Sequence, residues 1–494
     1  MLGNSRQPPD PGFAGILLRS LSLIDKPWSS PPDATNADAS MMLSTFASFL
    51  APLLAAFIRD EHSVALTPPP SLQFELRHLH AVSPEGRVAV RDVHHTSLMA
   101  SGYTPHTVQT QITKSVRPSS FAAFSRARAR SIQYRESESI DWDEEEVLAP
   151  DVQSRLTLLE LAKMTNNAYL TEPGDSGWYN LSGAWNTSYP FGWEPDTDGF
   201  RGQIFATEDN STVVVSIKGT SAAFVGGGGT TTKKDKFNDN LLFSCCCARI
   251  DWTWTTVCDC YRGGWKCDQD CLETALIEDS LFYSAGINLY NNLTYLYPEA
   301  NVWAVGHSLG GALASLLGVT FGVPAVAFES PGEKMAARRL HLPSPPSVQP
   351  IVHVYHTADP IAMGICNGIL SSCALGGYAL ESRCHLGQSI VYDTVSNLSW
   401  SVDIRTHGIV NVIDNVLSKP WGPSVLAGRE VPELAPEEEC VECFSWEFGD
   451  FPPSARLQDM SQGVDLPGSD ELRVCNAVSA EAIMKSTRYH GDVS

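Results

Sequence analysis

Positive charge is scarce in this chain. Across 494 residues, 34 lysines and arginines face 56 aspartates and glutamates, a formal charge of -22 with histidines neutral. So acidic a surface repels phosphate backbones, which argues against nucleic acid as a partner. It also weakens electrostatic capture by anionic lipid, so binding to a membrane would rest mainly on apolar contact. Charged residues of all kinds reach only 18%, against 43% apolar, which excludes disorder over most of the length. Histidine is missing where zinc would need it. None falls between Cys245 and Cys271, although Cys245, Cys246, Cys247, Cys258, Cys260, Cys267 and Cys271 gather there. Their spacings fit neither paired C-x-x-C sites nor a C2H2 finger, so disulfides are expected and no metal. Cys366, Cys373, Cys384, Cys440, Cys443 and Cys475 follow, and the odd total of 13 leaves one thiol over.

Disulfides require an oxidising compartment, and the sequons point the same way. N-x-S/T triplets without an intervening proline stand at Asn180, Asn186, Asn210, Asn292 and Asn397. The run Ala39–Ile58 carries no charge. At about 1.5 Å per residue it is long enough to cross a hydrocarbon core of about 30 Å. Ser44, Thr45, Ser48 and Pro52 weaken it, so a cleaved signal or a buried helix competes with the favoured reading, an uncleaved signal-anchor. Arg19 and Lys26 before the run and Arg59 and Arg77 after it leave the orientation open. The sequons, all C-terminal to it, place that side in the lumen and residues 1–38 in the cytoplasm. Met41 and Met42 are alternative starts.

Five regions follow. Residues 1–38 form a Pro- and Ser-rich tail, and 39–58 the anchor. Residues 59–150 mix short apolar runs with SRARARSIQYR and the acid cluster DWDEEE, and suggest no role. Residues 151–420 alternate apolar runs with helical periodicity, as in β/α units around a mainly parallel sheet. Residues 421–494 read as an acidic tail with Glu433, Glu437, Glu438, Glu439, Glu442, Glu447 and Asp450 on a solvated face, tethered at most through Cys440 and Cys443. Within the central region STVVVSIKGT, NVWAVGHSLGGALASLLGV, VPAVAFESPG and PIVHVYHTADP read as core strands with their loops. LETALIEDSLFYSAGINLYNNL reads as a crossover helix.

Gly306-His307-Ser308-Leu309-Gly310 is a G-x-S-x-G sequence entered by a strand and left by a helix, the context a nucleophile elbow requires. The fold class expected is an α/β-hydrolase. Such a turn strains the serine backbone, and glycines on either side let strand and helix pass closely. A serine hydroxyl needs a histidine to take its proton and a carboxylate to fix that histidine's tautomer. Asp359, just beyond the strand VHVY, is the first candidate acid, with Asp393 the alternative and Asp403 a lesser rival. His407 is the candidate base and His385 its competitor, while His307 reads as packing under the elbow. The Leu309 N–H and an N–H from Lys218-Gly219-Thr220, with Thr220 favoured, would form the oxyanion hole. Gly226 to Gly229 and TTTKKDKFND then suggest a mobile lid that opens at a lipid surface. No cofactor is called for and no obligate protein partner is inferable.

GHSLGG, the KGTS loop and HTADPI resemble class 3, fungal-type triacylglycerol lipases over roughly residues 200 to 415. DNLLFSCCCARIDWTWTTVCDCYRGGWKCDQDC, GEKMAARRLHLPSPP and ALGGYALESRCHLGQSIVYDTVS are similar to the autophagy-related fungal vacuolar lipases, from about residue 70 to 450. The resemblance implies a single-pass, glycosylated enzyme that reaches the vacuole through multivesicular bodies and breaks down autophagic bodies. It also implies that Ser308, Asp359, Asp393 and His407 match residue types of that family, and that membrane phospholipids are substrates alongside triacylglycerols. The polar stretch before the anchor is longer than such members usually have. A carboxylesterase of cutinase type acting on soluble esters shares the catalytic features and is the alternative.

Overall fold

Apolar runs rich in valine and isoleucine, too short for buried helices, become the strands of one large sheet. The computed structural model describes residues 69–82, 88–93, 105–170, 200–220, 232–248, 256–368, 370–437 and 440–451, all within the unit Pro69–Ser494. In chain order the elements are β1 (Ser71–Val82), β2 (Val88–Asp92), β3 (His106–Pro118), α1 (Phe121–Tyr134), β4 (Trp142–Pro150) and α2 (Arg155–Asn167). There follow β5 (Arg201–Ala206), β6 (Thr212–Ile217), α3 (Thr232–Phe243), β7 (Tyr261–Gly263), β8 (Lys266–Asp268), α4 (Gln269–Asp279) and α5 (Leu281–Leu296). Then come β9 (Asn301–His307), α6 (Leu309–Phe321), β10 (Ala325–Phe328), α7 (Lys334–Arg339), β11 (Ile351–His356), β12 (Gln388–Tyr392), β13 (Leu434–Pro436) and β14 (Glu447–Gly449), with short helical segments between β11 and β13.

The 11-stranded sheet runs β13-β12-β11-β10-β9-β6-β5-β1-β3-β4, with β2 beside β1. It is mixed rather than mainly parallel. Only the run β12-β11-β10-β9-β6 is parallel, and β13 on one flank and β5, β1, β3 and β4 on the other are antiparallel. The expectation rested on the β/α pattern after residue 151, and the strands that change the balance precede it. Residues 71–150 are therefore part of the same sheet as the strands of the 151–420 region. Phe74 packs on Trp303 at 5.3 Å between ring centroids, and the Trp303 indole N–H donates to Leu148 O at 2.8 Å. The cluster DWDEEE runs into β4 from Asp141, and there Glu144 pairs with Lys114 and Glu145 with Arg117 across to β3.

Alternation along the central strands sends side chains to opposite faces. Val213, Val215, Val302 and Ala304 join the core against α5 and α6, and Val214, Trp303 and Val305 join the core against α2 and the helical segment 409–416. Helix α6 is buried on every side from Leu309 to Thr320, as expected of a helix apolar all round. The expected crossover helix is two helices, broken at Ser280.

Two further expectations are corrected. The segment after Pro420 is not a solvated tail as far as Phe451, because β13 pairs with β12 and β14 with β8. Glu437 is bonded to His385, and Glu442 accepts from the Cys384 N–H at 3.1 Å. Twelve cysteines form six disulfides, Cys245–Cys443, Cys246–Cys267, Cys247–Cys258, Cys260–Cys271, Cys366–Cys373 and Cys384–Cys440, and Cys475 lies outside the described residues. No helix among the described residues is long and apolar enough to cross a membrane; Ala39–Ile58 lies outside them.

Candidate active site

Strands that end at one edge of a parallel run deliver their loops to one place. Ser308 follows β9, Asp359 follows β11, His407 follows β12, and Lys218-Gly219-Thr220 follows β6. Ser308 takes φ 57°, ψ -130°, a strained conformation for a residue with a Cβ. The turn is held by the Ser308 N–H donating to Phe328 O at 3.0 Å. Gly306 and Gly310 are needed for close approach. A Cβ at Gly306 would meet Gly310 O at 2.2 Å, and one at Gly310 would meet Ile217 O at 2.2 Å.

The serine hydroxyl faces His407 Nε2 at 3.0 Å, and His407 Nδ1–H donates to Asp359 Oδ2 at 2.7 Å. Asp359 is fully buried, and its other oxygen accepts from the Ile361 N–H at 2.9 Å. Burial pushes this carboxyl up, but the His407 charge and the hydrogen bonds from His407 and Glu329 outweigh it and hold Asp359 below the usual carboxylate range. A serine hydroxyl, an imidazole and a carboxylate thus stand in one hydrogen-bonded line, the arrangement that serves as nucleophile, base and acid in serine hydrolases.

The other candidates are spent elsewhere. Asp393 caps the short helix Thr394–Leu398 through the Ser396 N–H and accepts from Thr357 Oγ1 at 3.2 Å. Asp403 caps the turn Ile404–Thr406 and pairs with Arg405 at 2.6 Å. His385 is fixed between Glu437 and Ser330 O, and His353 between Ser315 and Glu333.

Known proteins resemble this chain in sequence. The family described as Lipase (class 3) matches residues 285–326, which contain the elbow. A Cryptococcus neoformans protein named "Putative lipase ATG15" is 51% identical over 370 residues, covering 63% of this chain and 71% of that one. Proteins of the same name from Saccharomyces cerevisiae and Yarrowia lipolytica are 48% and 43% identical, over 65% and 62% of this chain and 62% and 55% of theirs. The chain belongs to the ATG15 lipase family. Among solved structures, the Lip2 lipase of Yarrowia lipolytica overlaps 52% of this chain and 89% of its own at 13% identity, with a TM-score of 0.24. That overlap is too small to add to the topology. Family and geometry together make this member a carboxylic-ester hydrolase.

In this ATG15 member the Lys218-Gly219-Thr220 loop lies directly on the elbow. A Cβ at Gly219 would sit 2.2 Å from His307 O and 3.0 Å from Ser308 Cβ. Thr220, the next residue, is anchored by its hydroxyl, which donates to Asp239 Oδ2 at 2.6 Å, and Leu309 is buried at the start of α6. Asp239 belongs to α3, which corrects part of the lid expectation. From Thr232 onward the polar stretch is helical, and Asp235, Asn238, Asp239 and Asn240 are buried by bonds that composition cannot show. Lys218 Nζ pairs with Asp235 at 3.3 Å, and Asn240 Nδ2 donates to Gly377 O at 3.0 Å. Gly226 to Gly229 lie outside the described residues.

His307 does pack under the elbow, and it does more. Its Nε2–H donates to His407 O at 2.8 Å, which leaves Nδ1 to accept from the Tyr169 hydroxyl at 2.6 Å. Burial is the main cause that depresses this imidazole to about 3, so it stays neutral while holding the base's backbone. Two residues near the triad escaped the sequence reading. Tyr169, in NNAYL after α2, gave no signal. Glu329 did give one, as an acidic residue ending the apolar strand next to the nucleophile's. Of the sequons, Asn210, Asn292 and Asn397 are exposed, and Asn180 and Asn186 fall outside the described residues.

Proposed function

We propose that this hydrolase is a lipase and phospholipase that cleaves acyl esters of membrane lipids in the vacuolar lumen, where it disintegrates autophagic bodies and the vesicles of multivesicular bodies. It reaches that lumen as a single-pass type II membrane protein through the Golgi and multivesicular bodies. Membership of the ATG15 family supports this, as do the six disulfides and the exposed sequons, which suit an oxidising lumen. The observation that carries the chemistry is the 3.0 Å contact between Ser308 Oγ and His407 Nε2.

In the first half-reaction Ser308 Oγ attacks the ester carbonyl while His407 Nε2 takes its proton. Asp359 stabilises the imidazolium that results. The N–H groups of Leu309 and Thr220 hold the oxyanion of the tetrahedral intermediate. Its collapse expels the alcohol, here a lysolipid or glyceride, which receives the proton from His407. A water, deprotonated in turn by His407, then attacks the acyl-Ser308 ester and releases the fatty acid.

The test incubates the full chain with mixed phospholipid vesicles, a triacylglycerol emulsion and a soluble short-chain ester, and identifies products by mass spectrometry. Fatty acid and lysophospholipid from vesicles are expected, and their loss in Ser308→Ala. Turnover confined to the soluble ester would replace this reading with the carboxylesterase one. Glycosidase sensitivity and protease protection in isolated organelles check the luminal placement.

A further inference from the structure

Glu329 is the first residue after β10, and nothing in the mechanism above uses it. Its backbone stands at φ 44°, and its side chain is buried, with 1% exposure. A non-glycine residue pays about 1–3 kcal/mol for such a conformation, which persists only where the surroundings impose it. Here the Glu329 N–H donates to Val354 O at 3.0 Å. The bend brings the carboxyl to the turn that carries Asp359, whose N–H donates to His356 O at 3.1 Å, and the two carboxyls act on each other as hydrogen-bonding neighbours.

Among the described residues the rest of its environment offers no cation. Oε2 accepts from the His356 N–H at 3.4 Å. His356 Nε2 lies 3.7 Å from Oε1, but its proton is directed to Thr406 O at 3.1 Å. Burial is the main cause that depresses the His356 imidazole, which favours its neutral form. Among the described residues no N–H or O–H group reaches Oε1, and no lysine or arginine pairs with Glu329. The titratable groups around it are Asp359, His356 and Tyr355, with His407 beyond Asp359. Two carboxyls that share a hydrogen bond without a cation between them cannot both be ionised. Asp359 already accepts N–H bonds from His407 and Ile361, which favour its charged form. The proton therefore stays on Glu329, whose carboxyl is pushed up by burial and by the Asp359 charge.

We propose that Glu329 is a positioning residue of the triad, a neutral carboxylic acid whose O–H donates to Asp359 and extends the line to Glu329–Asp359–His407–Ser308. This rests on reading Ser308, His407 and Asp359 as the catalytic triad. A donor behind Asp359 draws negative charge off the carboxylate, so the protonated imidazole before it is held less tightly at rest. The free base then survives to lower pH.

The test compares pH profiles of kcat/KM for the full chain with Glu329→Gln and Glu329→Leu, using one soluble ester. Glutamine keeps a neutral donor, so its acid limb should coincide with that of the parent. Leucine has no donor, and its acid limb should move up by about one pH unit, the scale on which a hydrogen bond to a charged group acts. Infrared difference spectra should show a carboxylic-acid C=O band at neutral pH that Glu329→Gln removes. An acid limb that moves down in Glu329→Gln would mean an ionised Glu329 and overturn the proposal. An unmoved limb in a folded Glu329→Leu would do the same. If Leu does not fold, the glutamine profile and the infrared band decide alone. Failure of the triad reading is read separately, as retained turnover in Ser308→Ala.

Discussion

At the scale of the residue, the site separates groups that touch the reacting atoms from groups that resemble them in sequence. Asp359 and Asp393 both follow a strand of the parallel run, yet only Asp359 meets His407. Asp359→Asn would present an amide that favours the wrong imidazole tautomer, and kcat should fall by about 10⁴, the scale seen in serine-protease triads. Asn caps a helix as well as Asp does, so Asp393→Asn should leave kcat within about twofold. A steady-state assay of both variants on one ester checks the pair, and equal losses would count against the assignment. Glu329 and His307 act through others, one behind the acid and one beneath the backbone of the base.

At the scale of the element, α3 shows why polar composition misleads. Lys218 at the end of β6 is buried, which depresses its ammonium, and its carboxylate partner is Asp235 on α3. Removing one member of a buried pair strands the other, so Asp235→Ala should cost about 3–5 kcal/mol in denaturant unfolding. Lys236→Ala, which loses one bond to Gly376 O, should cost about 1 kcal/mol. The same contrast marks what could be read in advance. Ser308 announced itself because the elbow is local, with strand, turn and helix consecutive in the chain. Asp359 and His407 were legible as types at strand ends, but the choice between Asp359 and Asp393 depended on which loop bends back, a long-range fact. The antiparallel flank β5-β1-β3-β4 was not legible. Strands β1, β3 and β4 are partly exposed, and β3 and β4 carry charges such as Arg117 and Glu145 on the open face, so neither continuous apolarity nor β/α alternation marks them. Tyr169 and Asp239 matter only through partners far along the chain.

At the scale of the whole molecule, buried titratable groups pull stability in opposite directions as pH falls. Burial is the leading cause that depresses His80 and His353 to about 4, from an ordinary 6.5. The stability they contribute is complete above pH 6.5 and is lost as pH falls through about 4, because the unfolded chain binds their protons first. Burial likewise raises Glu333 to about 8 and Glu381 to about 7. Their contribution is complete below pH 4.5 and is lost as pH rises through those values, so it grows on acidification. Between pH 6.5 and 4.5 the two sets oppose each other, at about 1.4 kcal/mol per unit and group. The thermal midpoint should therefore stay nearly level over that window and fall below it. Calorimetry across the range tests this, and a steep decline between pH 6.5 and 4.5 would contradict it. Glu333→Gln, neutral at every pH, should tilt the profile downward on the acid side.

The activated state of Ser308 is measured most directly by a fluorophosphonate, which bonds only to a serine whose proton a base can take. Peptide mass spectrometry of the labelled, folded chain should find one adduct, on Ser308, and none in His407→Ala. An unlabelled Ser308, or an adduct on another serine, would contradict the account.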